Sequence, residues 1–234
     1  MQGAMRRRLG LAALTGIVAL VALVPAAGAS HSTRVRHPAP NLKRGVGSGY
    51  FLWFGPKALT SVGATWAYNW TTKAPTPVRG LEWVPMVWGP TSVNRTVIKT
   101  LKAYARTGRA HYLLTFNEPD FRDEANMTPA QAAALWPQLE TTGLKLGAPA
   151  PAVWADSWLP RFMALARARH LRVDFIDLHF YQDFTVPDAV ARLRAHLFAI
   201  WHIYRRPLWI TELGTADTRV WGEPMKHKPV RTGP

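Results

Sequence analysis

Short apolar runs alternate along the chain after residue 43 with longer segments in which apolar residues recur every three or four positions. The short runs predict β-strands, and the longer segments predict amphipathic helices. The predicted strands span residues 44–48, 64–68, 81–86, 111–116, 144–148, 173–180 and 207–211. Because strands and helices alternate without a break in composition, we predict one α/β domain over residues 44–216. The expected architecture is of the (β/α)8 TIM-barrel type, with seven of its eight strands present.

Four of the predicted helices have an apolar face that we expect to pack against the sheet. The four faces comprise Val93, Val97, Leu101 and Tyr104; Ala132, Leu135, Trp136 and Leu139; Leu159, Phe162 and Ala166; and Val190, Leu193, Leu197, Ile200 and Tyr204. The second of these helices also has a start signal. Thr128 is followed by Pro129 and then by Gln131, which is the spacing of a capping box, so we expect that helix to begin at Pro129.

The N-terminal residues have the pattern of an export signal. Three arginines at positions 6–8 precede an apolar run, and Ala27 and Ala29 form a small-residue cleavage site. The apolar run is too short to span a bilayer. We therefore interpret residues 1–29 as a signal peptide whose removal leaves no stable membrane anchor.

The cysteine content indicates in which compartment the exported protein functions. The 234-residue chain contains no cysteine, which excludes disulfides and thiolate chemistry. Because small secreted eukaryotic domains usually depend on disulfides, this composition favours a bacterial protein that is secreted to the extracellular space.

We interpret residues 30–43 as a basic linker and residues 217–234 as a basic, proline-containing tail.

The net charge and the distribution of the basic residues together indicate which partners the chain is expected to bind. A formal charge of +15 arises from 29 Lys and Arg against 14 Asp and Glu, and such an excess suits a polyanionic surface. The basic residues are scattered along helices and termini, however, so nucleic acid is not the predicted partner. The eight histidines show no metal-ligand spacing, and we predict neither a metal nor another cofactor.

Two glutamates follow directly on apolar strands. Strand 111–116 leads into Asn117 and Glu118, and strand 207–211 leads into Glu212. In a parallel barrel the carboxyl ends of these two strands open onto the same face. A single carboxylate there is more often a helix cap or a salt-bridge partner, but two of them about 5 Å apart are what a retaining glycosidase needs.

Period-two alternation predicts which side chains share a face of each strand. The sets that we expect to share the face of the site are Tyr112, Leu114, Phe116 and Glu118; Phe175, Asp177, His179 and Tyr181; and Leu208, Ile210 and Glu212. On this interpretation Phe116 supplies an apolar setting that keeps Glu118 protonated. His179 or Tyr181 is expected to donate hydrogen bonds that keep Glu212 ionised.

Seven motifs follow one another along the chain at the predicted strands. They are RGVGSGY (44–50), WAYNW (66–70), VPMVWG (84–89), LLTFNEPD (113–120), LGAPAP (146–151), VDFIDLHFY (173–181) and PLWITELG (207–214). Together they resemble glycoside hydrolase family 128, which belongs to a clan of retaining (β/α)8-barrel glycosidases and acts on β-1,3-glucans. The resemblance runs from about residue 43 to residue 216.

The resemblance implies specific roles for the residues in these motifs. Glu118 would be the acid/base and Glu212 the nucleophile of a double displacement on β-1,3-glucan, the polysaccharide substrate. Asn117 would hold the sugar 2-hydroxyl, and His179 and Tyr181 would line the catalytic subsite. Further candidates for substrate binding at the strand ends are Tyr68, Asn69, Trp70, Trp88 and Trp154, with Trp66 as another stacking candidate.

The chain departs from the family pattern after Glu212. Residues 213–234 are too few for the helix, eighth strand and closing helix that a full barrel requires. We therefore expect open edges on the first and last strands, which favour self-association and could leave the chain inactive. A non-catalytic glucan- or cell-wall-polysaccharide-binding protein would also fit these features. So would a β-1,4-glucanase or xylanase of the same clan, because the fold and the carboxylates do not fix the linkage.

Overall fold

The structure, a computed structural model, describes most of the region in which strands and helices are predicted. The described residues are 44–49, 58–73, 75, 77, 80–152, 157–182 and 187–215. The predicted signal peptide, linker and C-terminal tail lie outside them, as does Trp154. Within the described part of the chain, no helix has the length and apolar character needed to cross a membrane.

The described strands are short, and every pair that they form is parallel. They are β1 (Gly45–Gly47), β2 (Trp66–Tyr68), β3 (Glu82–Trp83), β4 (Met86–Val87), β5 (Tyr112–Thr115), β6 (Lys145–Leu146), β7 (Ile176–Gln182) and β8 (Leu208–Thr215). Hydrogen bonds join them in chain order as β1-β2-β3, β4-β5-β6 and β7-β8. An isolated bridge between Gly147 and Phe175 continues the pairing from the end of β6 towards β7. The prediction of an α/β fold with parallel sheets is confirmed.

The strand predicted at residues 81–86 is divided into two segments. β3 pairs with β2, whereas β4 pairs with β5 on the other side. Pro85 lies between the two segments and has no N–H with which to continue a ladder. Its carbonyl still accepts a hydrogen bond from the Leu114 amide at 3.0 Å. The described strands therefore number eight segments rather than the predicted seven.

Helical residues 58–61 and four longer α-helices alternate with the strands in the described part of the chain. The longer helices are α1 (Arg95–Thr107), α2 (Pro129–Glu140), α3 (Trp158–Ala168) and α4 (Ala189–Tyr204). The predicted capping box at the start of α2 is present. The Thr128 hydroxyl accepts from the Gln131 amide at 3.2 Å, and the Gln131 side chain accepts from the Thr128 amide at 2.8 Å. These two bonds satisfy donors that a helix start leaves unpaired.

Two groups of buried side chains lie on opposite faces of the strands. The helix-side cluster joins strands to helices and includes Leu101, Leu113, Phe116, Trp136, Leu146, Phe162, Ile176 and Leu178. The central cluster draws only on strands and the residues next to them, and comprises Trp66, Tyr68, Val84, Met86, Leu114 and Phe175 with Trp70, Trp88, Tyr112 and Trp209 packed against it. Large side chains therefore fill both faces of the strands.

The predicted apolar face of α4 is wrong at its first residue. Val190 is 73% exposed, whereas Ala189, the first residue of the helix, is buried. Leu197 and Tyr204 pack against the helix-side cluster as expected. The buried stripe begins at Ala189 because residues four apart lie on one face of a helix, which leaves Val190 turned about 100° away.

Candidate active site

Glu118 is positioned by an irregular turn after β5. Phe116 has φ 28° and Glu118 has φ 40°, values that non-glycine residues seldom adopt. The turn is held because the Phe116 amide donates to the Val87 carbonyl at 2.8 Å and the Glu118 amide donates to the Ala150 carbonyl at 3.0 Å. Such local strain persists only where neighbouring bonds fix the backbone, and it is common at functional sites.

The same turn overturns one expectation about the surroundings of Glu118. Period-two alternation predicts that Phe116 and Glu118 share one face, but Phe116 packs in the helix-side cluster, where its ring centroid lies 6.4 Å from that of Trp136. Tyr112 and Leu114 lie with the central cluster. The alternation therefore ends at Phe116, because the left-handed backbone there breaks the pleat. Phe116 does not provide the apolar setting for Glu118.

Glu212 reaches the site through an extra residue in β8. Leu178 pairs with Ile210, but the next residue of β7, His179, pairs with Glu212, so Thr211 is a bulge. Leu208 packs against the helix-side cluster, whereas Trp209 packs against the central cluster. The prediction that Leu208 and Ile210 share the face of Glu212 is wrong, because the bulge reverses the alternation before Glu212.

The carboxylates of Glu118 and Glu212 face each other across His179. Nδ1 of His179 lies 2.9 Å from Oε1 of Glu118, and its Nε2 lies 3.5 Å from Oε1 of Glu212. One carboxylate oxygen of each glutamate and one ring nitrogen all lie within 4.8 Å of one another. The His179 side chain is fully buried, and the glutamate side chains are only 13% and 12% exposed. The three groups form one closely coupled cluster.

The carboxylates of this cluster favour the protonated form of His179. Burial lowers the pKa of His179, but the charges of Glu212, Glu118 and Asp177 outweigh burial and raise the pKa to about 9. Both ring nitrogens then hold protons and can face a carboxylate each. The geometry of the three side chains would also suit a metal ion, which would have to displace a proton from His179.

Three further donors converge on Glu212. The Tyr181 hydroxyl donates to Oε2 at 2.7 Å, and the Trp70 indole N–H donates to Oε1 at 2.7 Å. The single O–H proton of Tyr68 is shared between Oε1 at 3.3 Å and the Thr211 carbonyl at 3.1 Å. Burial and the charge of Glu212 raise the pKa of the Tyr68 and Tyr181 phenols far above the ordinary value for tyrosine. Both hydroxyls therefore remain protonated donors. Hydrogen bonds of this kind stabilise a carboxylate as an anion.

Asn117 is held by a third carboxylate, Glu124. The Asn117 side chain is almost fully buried, and its Nδ2 donates to Oε2 of Glu124 at 3.0 Å. Burial and the charge of Glu118 raise the pKa of Glu124, although the bond from Asn117 opposes that rise. Sequence reasoning missed Glu124 because it lies in the loop between β5 and α2, where no periodicity applies. A signal was available in a further acidic residue shortly after the NEPD motif.

The structure places the remaining candidate binding residues in different surroundings. Trp70 is at the site, but its indole binds Glu212 rather than standing free as a sugar platform. Trp88 is half-buried beside the central cluster, and its carbonyl accepts from the Asn117 amide at 2.8 Å. Asn69 makes a local hydrogen bond with Thr71 at 2.9 Å. Trp66 is a packing residue, because it is buried with its ring centroid 4.9 Å from that of Trp209.

The chain matches known proteins in family and in structure. The family described as glycosyl hydrolase catalytic core matches residues 56–228. A subgroup II endo-β-1,3-glucanase of glycoside hydrolase family 128 from Sorangium cellulosum is 30% identical, with a TM-score of 0.56, over 66% of this chain and 67% of that chain. The chain belongs to the glycosyl hydrolase catalytic-core family and, within it, to glycoside hydrolase family 128.

Two further solved structures of the same family contain bound sugars. A subgroup I endo-β-1,3-glucanase from Amycolatopsis mediterranei, in complex with laminaritriose, is 43% identical with a TM-score of 0.60. That match covers 66% of this chain and 64% of the other, so the chain spans just under two thirds of that structure. A subgroup III curdlan-specific exo-β-1,3-glucanase from Blastomyces gilchristii, in complex with glucose, is 28% identical with a TM-score of 0.59 over 70% of this chain and 75% of that chain. No curated protein matches the chain.

Proposed function

We propose that the chain is a glycoside hydrolase that cleaves β-1,3-glucan by retaining double displacement. The observation that carries the proposal is the pair Glu118 and Glu212, with oxygens no more than 4.8 Å apart across His179. Retaining glycosidases hold their two carboxyl groups about 5 Å apart, because no water has to fit between nucleophile and sugar in the first step. The substrate class is supported by the β-1,3-glucan oligosaccharide bound by the Amycolatopsis relative.

The hydrogen bonds of the two carboxylates support different roles for them. Glu212 accepts from Tyr181, Trp70 and Tyr68, which favours an anion that attacks the anomeric carbon and forms a glycosyl-enzyme. Glu118 bonds through its side chain to His179. Glu118, which shares a proton with Nδ1 of His179, gives that proton to the departing glycosidic oxygen and then takes one from the water that cleaves the glycosyl-enzyme, so the anomeric configuration is retained.

We further propose that the parallel strands form a barrel of the (β/α)8 type, with residues 44–216 as the catalytic unit. Two observations support it. The Tyr68 hydroxyl on β2 reaches Thr211 on β8, and Cα atoms of β1 and β8 approach within 8 Å. The central cluster would then fill the interior, and the polar site would lie at the carboxyl ends of the strands.

We also propose that the protein is secreted. The support is the order of arginines, apolar run and small residues within positions 1–29. Protein recovered from culture medium is expected to begin at or near Ser30 when its N-terminus is sequenced. Recovery of chains that still begin with Met1 would contradict the proposal.

Incubation with laminarin tests the enzymatic proposal directly. We expect new reducing ends from laminarin but none from carboxymethyl cellulose, a β-1,4-glucan. Proton NMR in the first minutes should detect the β-anomer before mutarotation, since double displacement retains configuration. The Glu212→Gln variant is the matched control. Binding of laminarin without product release would instead favour the non-catalytic glucan-binding protein, and an initial α-anomer would contradict the retaining mechanism.

A further inference from the structure

A buried hydrogen bond lies beneath the catalytic pair, at the bulge in β8. Thr211, the extra residue of the bulge, donates from its hydroxyl to Oδ1 of Asp177 at 2.5 Å. Asp177 has no exposed surface, and Thr211 is 2% exposed. The second oxygen of Asp177 has no hydrogen-bond partner among the described residues. The Thr211 hydroxyl is therefore the side-chain donor that satisfies a carboxyl group deep in the fold, where an unsatisfied polar group is costly.

Thr211 is also held through its backbone. Its carbonyl accepts from the Tyr68 hydroxyl at 3.1 Å, so one residue is fixed by β7 through its side chain and by β2 through its main chain. A bulge in the middle of a regular pair bends a strand and redirects the side chains that follow it. The residue redirected here is Glu212, whose two oxygens must meet Trp70 and Tyr181, each at 2.7 Å.

We propose that Asp177 and Thr211 are positioning residues, whose hydrogen bond fixes the bulge in β8 and thereby aims Glu212 at the reacting carbon. The proposal rests on the proposed function only in taking Glu212 as the nucleophile. Without this bond, β8 can relax towards the regular register, in which Glu212 would share the face of Leu208 that packs on the helix side.

The Trp70 indole provides a readout that does not depend on activity. Its N–H donates to Glu212 at 2.7 Å, so the indole cross-peak in a ¹H–¹⁵N NMR spectrum reports where that carboxylate lies. The peak is assigned by its loss in Trp70→Phe. In Thr211→Val, which keeps the branched shape but removes the hydroxyl, we expect the peak to move towards its position in Glu212→Ala. Thr211→Ser retains the hydroxyl and is expected to recover the wild-type peak.

Kinetics on laminarin provide the second readout. A displacement of the nucleophile by a fraction of an ångström should lower kcat by about ten- to a hundredfold in Thr211→Val while KM changes little, because ground-state binding does not depend on the attacking oxygen. Thr211→Ser is expected to recover most of kcat. A lower kcat/KM that arises from KM alone would point to altered binding and would overturn the proposal.

The two readouts separate this proposal from the proposed function. If wild-type protein does not hydrolyse laminarin, the proposed function is wrong, while the Trp70 peak still tests whether the Asp177–Thr211 bond places Glu212. If Thr211→Val melts at a lower temperature but keeps the wild-type Trp70 peak, the bond is merely structural and the positioning role is wrong. Thr211→Ala, which leaves room for a water molecule beside Asp177, gives the same comparison where Thr211→Val does not fold.

Discussion

The two glutamates proposed as the catalytic pair differ in the number of side chains that donate to them. Glu212 accepts from two phenols and an indole, whereas the side-chain partner of Glu118 is His179. Each donor to a carboxylate stabilises its charged form, so the asymmetry favours Glu212 as the anion and Glu118 as the proton carrier. Two equivalent carboxylates would not have distinct roles, and the difference arises from neighbours on β2 and β7.

Azide is expected to distinguish the two glutamates. Glu118→Ala and Glu212→Ala should each lower kcat on laminarin by about a hundredfold or more, as the loss of a positioned acid/base or nucleophile does. With an activated aryl β-glycoside, azide in Glu212→Ala attacks the anomeric carbon directly and yields an α-glycosyl azide. In Glu118→Ala the glycosyl-enzyme still forms on Glu212, and azide then yields the β-product. NMR of the products identifies the anomer, and the same anomer from both variants would refute the roles.

The charge on His179 makes stability depend on pH in a direction that can be stated. The pKa of His179 in the folded chain is about 9, because the surrounding carboxylates outweigh burial, and the unfolded value is about 6.5. A group with a raised pKa stabilises the fold in full below its unfolded pKa, and that stabilisation is lost as the pH rises through the folded value. A shift of this size corresponds to about 3 kcal/mol.

Urea unfolding at two pH values tests this linkage. Wild-type protein is expected to lose about 3 kcal/mol of unfolding free energy relative to His179→Gln between about pH 6.5 and about pH 9.5. The glutamine variant keeps a hydrogen-bonding side chain but loses the titration of His179, so the difference between the two proteins reports His179 together with the carboxyl coupled to it, that of Asp177, whose pKa burial raises to about 7. If the two proteins lose stability in parallel across this range, His179 does not carry the charge assigned to it.

At the scale of elements, the alternation of apolar and polar residues predicted some strand faces correctly and others wrongly. It predicted the parallel strands, the start of α2 and the inward face of β7, where Phe175 joins the central cluster and His179 meets both glutamates. It failed after β5 and within β8, where a left-handed turn and a bulge interrupt the period. Both glutamates nevertheless reach the site. The sequence identifies the two glutamates and the strands that they follow. It does not show the course of the backbone between each strand and its glutamate, because that course depends on hydrogen bonds between distant segments.

Gly214 links the geometry of β8 to the site. A Cβ atom at this position would lie 2.5 Å from Cε1 of Tyr181, whose hydroxyl donates to Glu212. An aromatic ring cannot yield at that point without moving its hydroxyl, so Gly214→Ala should weaken this bond and lower kcat by about tenfold or more. Gly49→Ala is the control, because a Cβ atom there meets nothing within 4 Å. Equal activity of both variants would mean that Tyr181 is not held by β8.

Over the whole molecule, exposed basic side chains lie on the outside and acidic side chains gather at the site. The chain carries a formal charge of +15, and one exposed face of α1 presents Arg95, Lys99, Lys102 and Arg106. The site, in contrast, gathers the acidic side chains of Glu118, Glu124, Asp177 and Glu212 around His179. A polyanion is therefore attracted to the exposed basic face of α1. The total charge alone predicted the basic exterior and could not predict the acidic site, which depends on how the strand ends converge.

Salt is expected to separate adsorption from catalysis. Binding to a carboxymethylated β-1,3-glucan should weaken steeply between about 50 mM and about 500 mM NaCl, because exposed charges are screened over roughly 10 Å or less in that range. Hydrolysis of neutral laminarin should change by less than about twofold, since the substrate carries no charge to steer. The Lys99→Gln/Lys102→Gln variant removes two charges from the exposed face of α1, which contributes no residue to the site, and should lower adsorption while laminarin turnover stays unchanged. Laminarin turnover that falls with salt in parallel with adsorption would mean that the positive surface, and not the site at Glu118 and Glu212, engages the glucan.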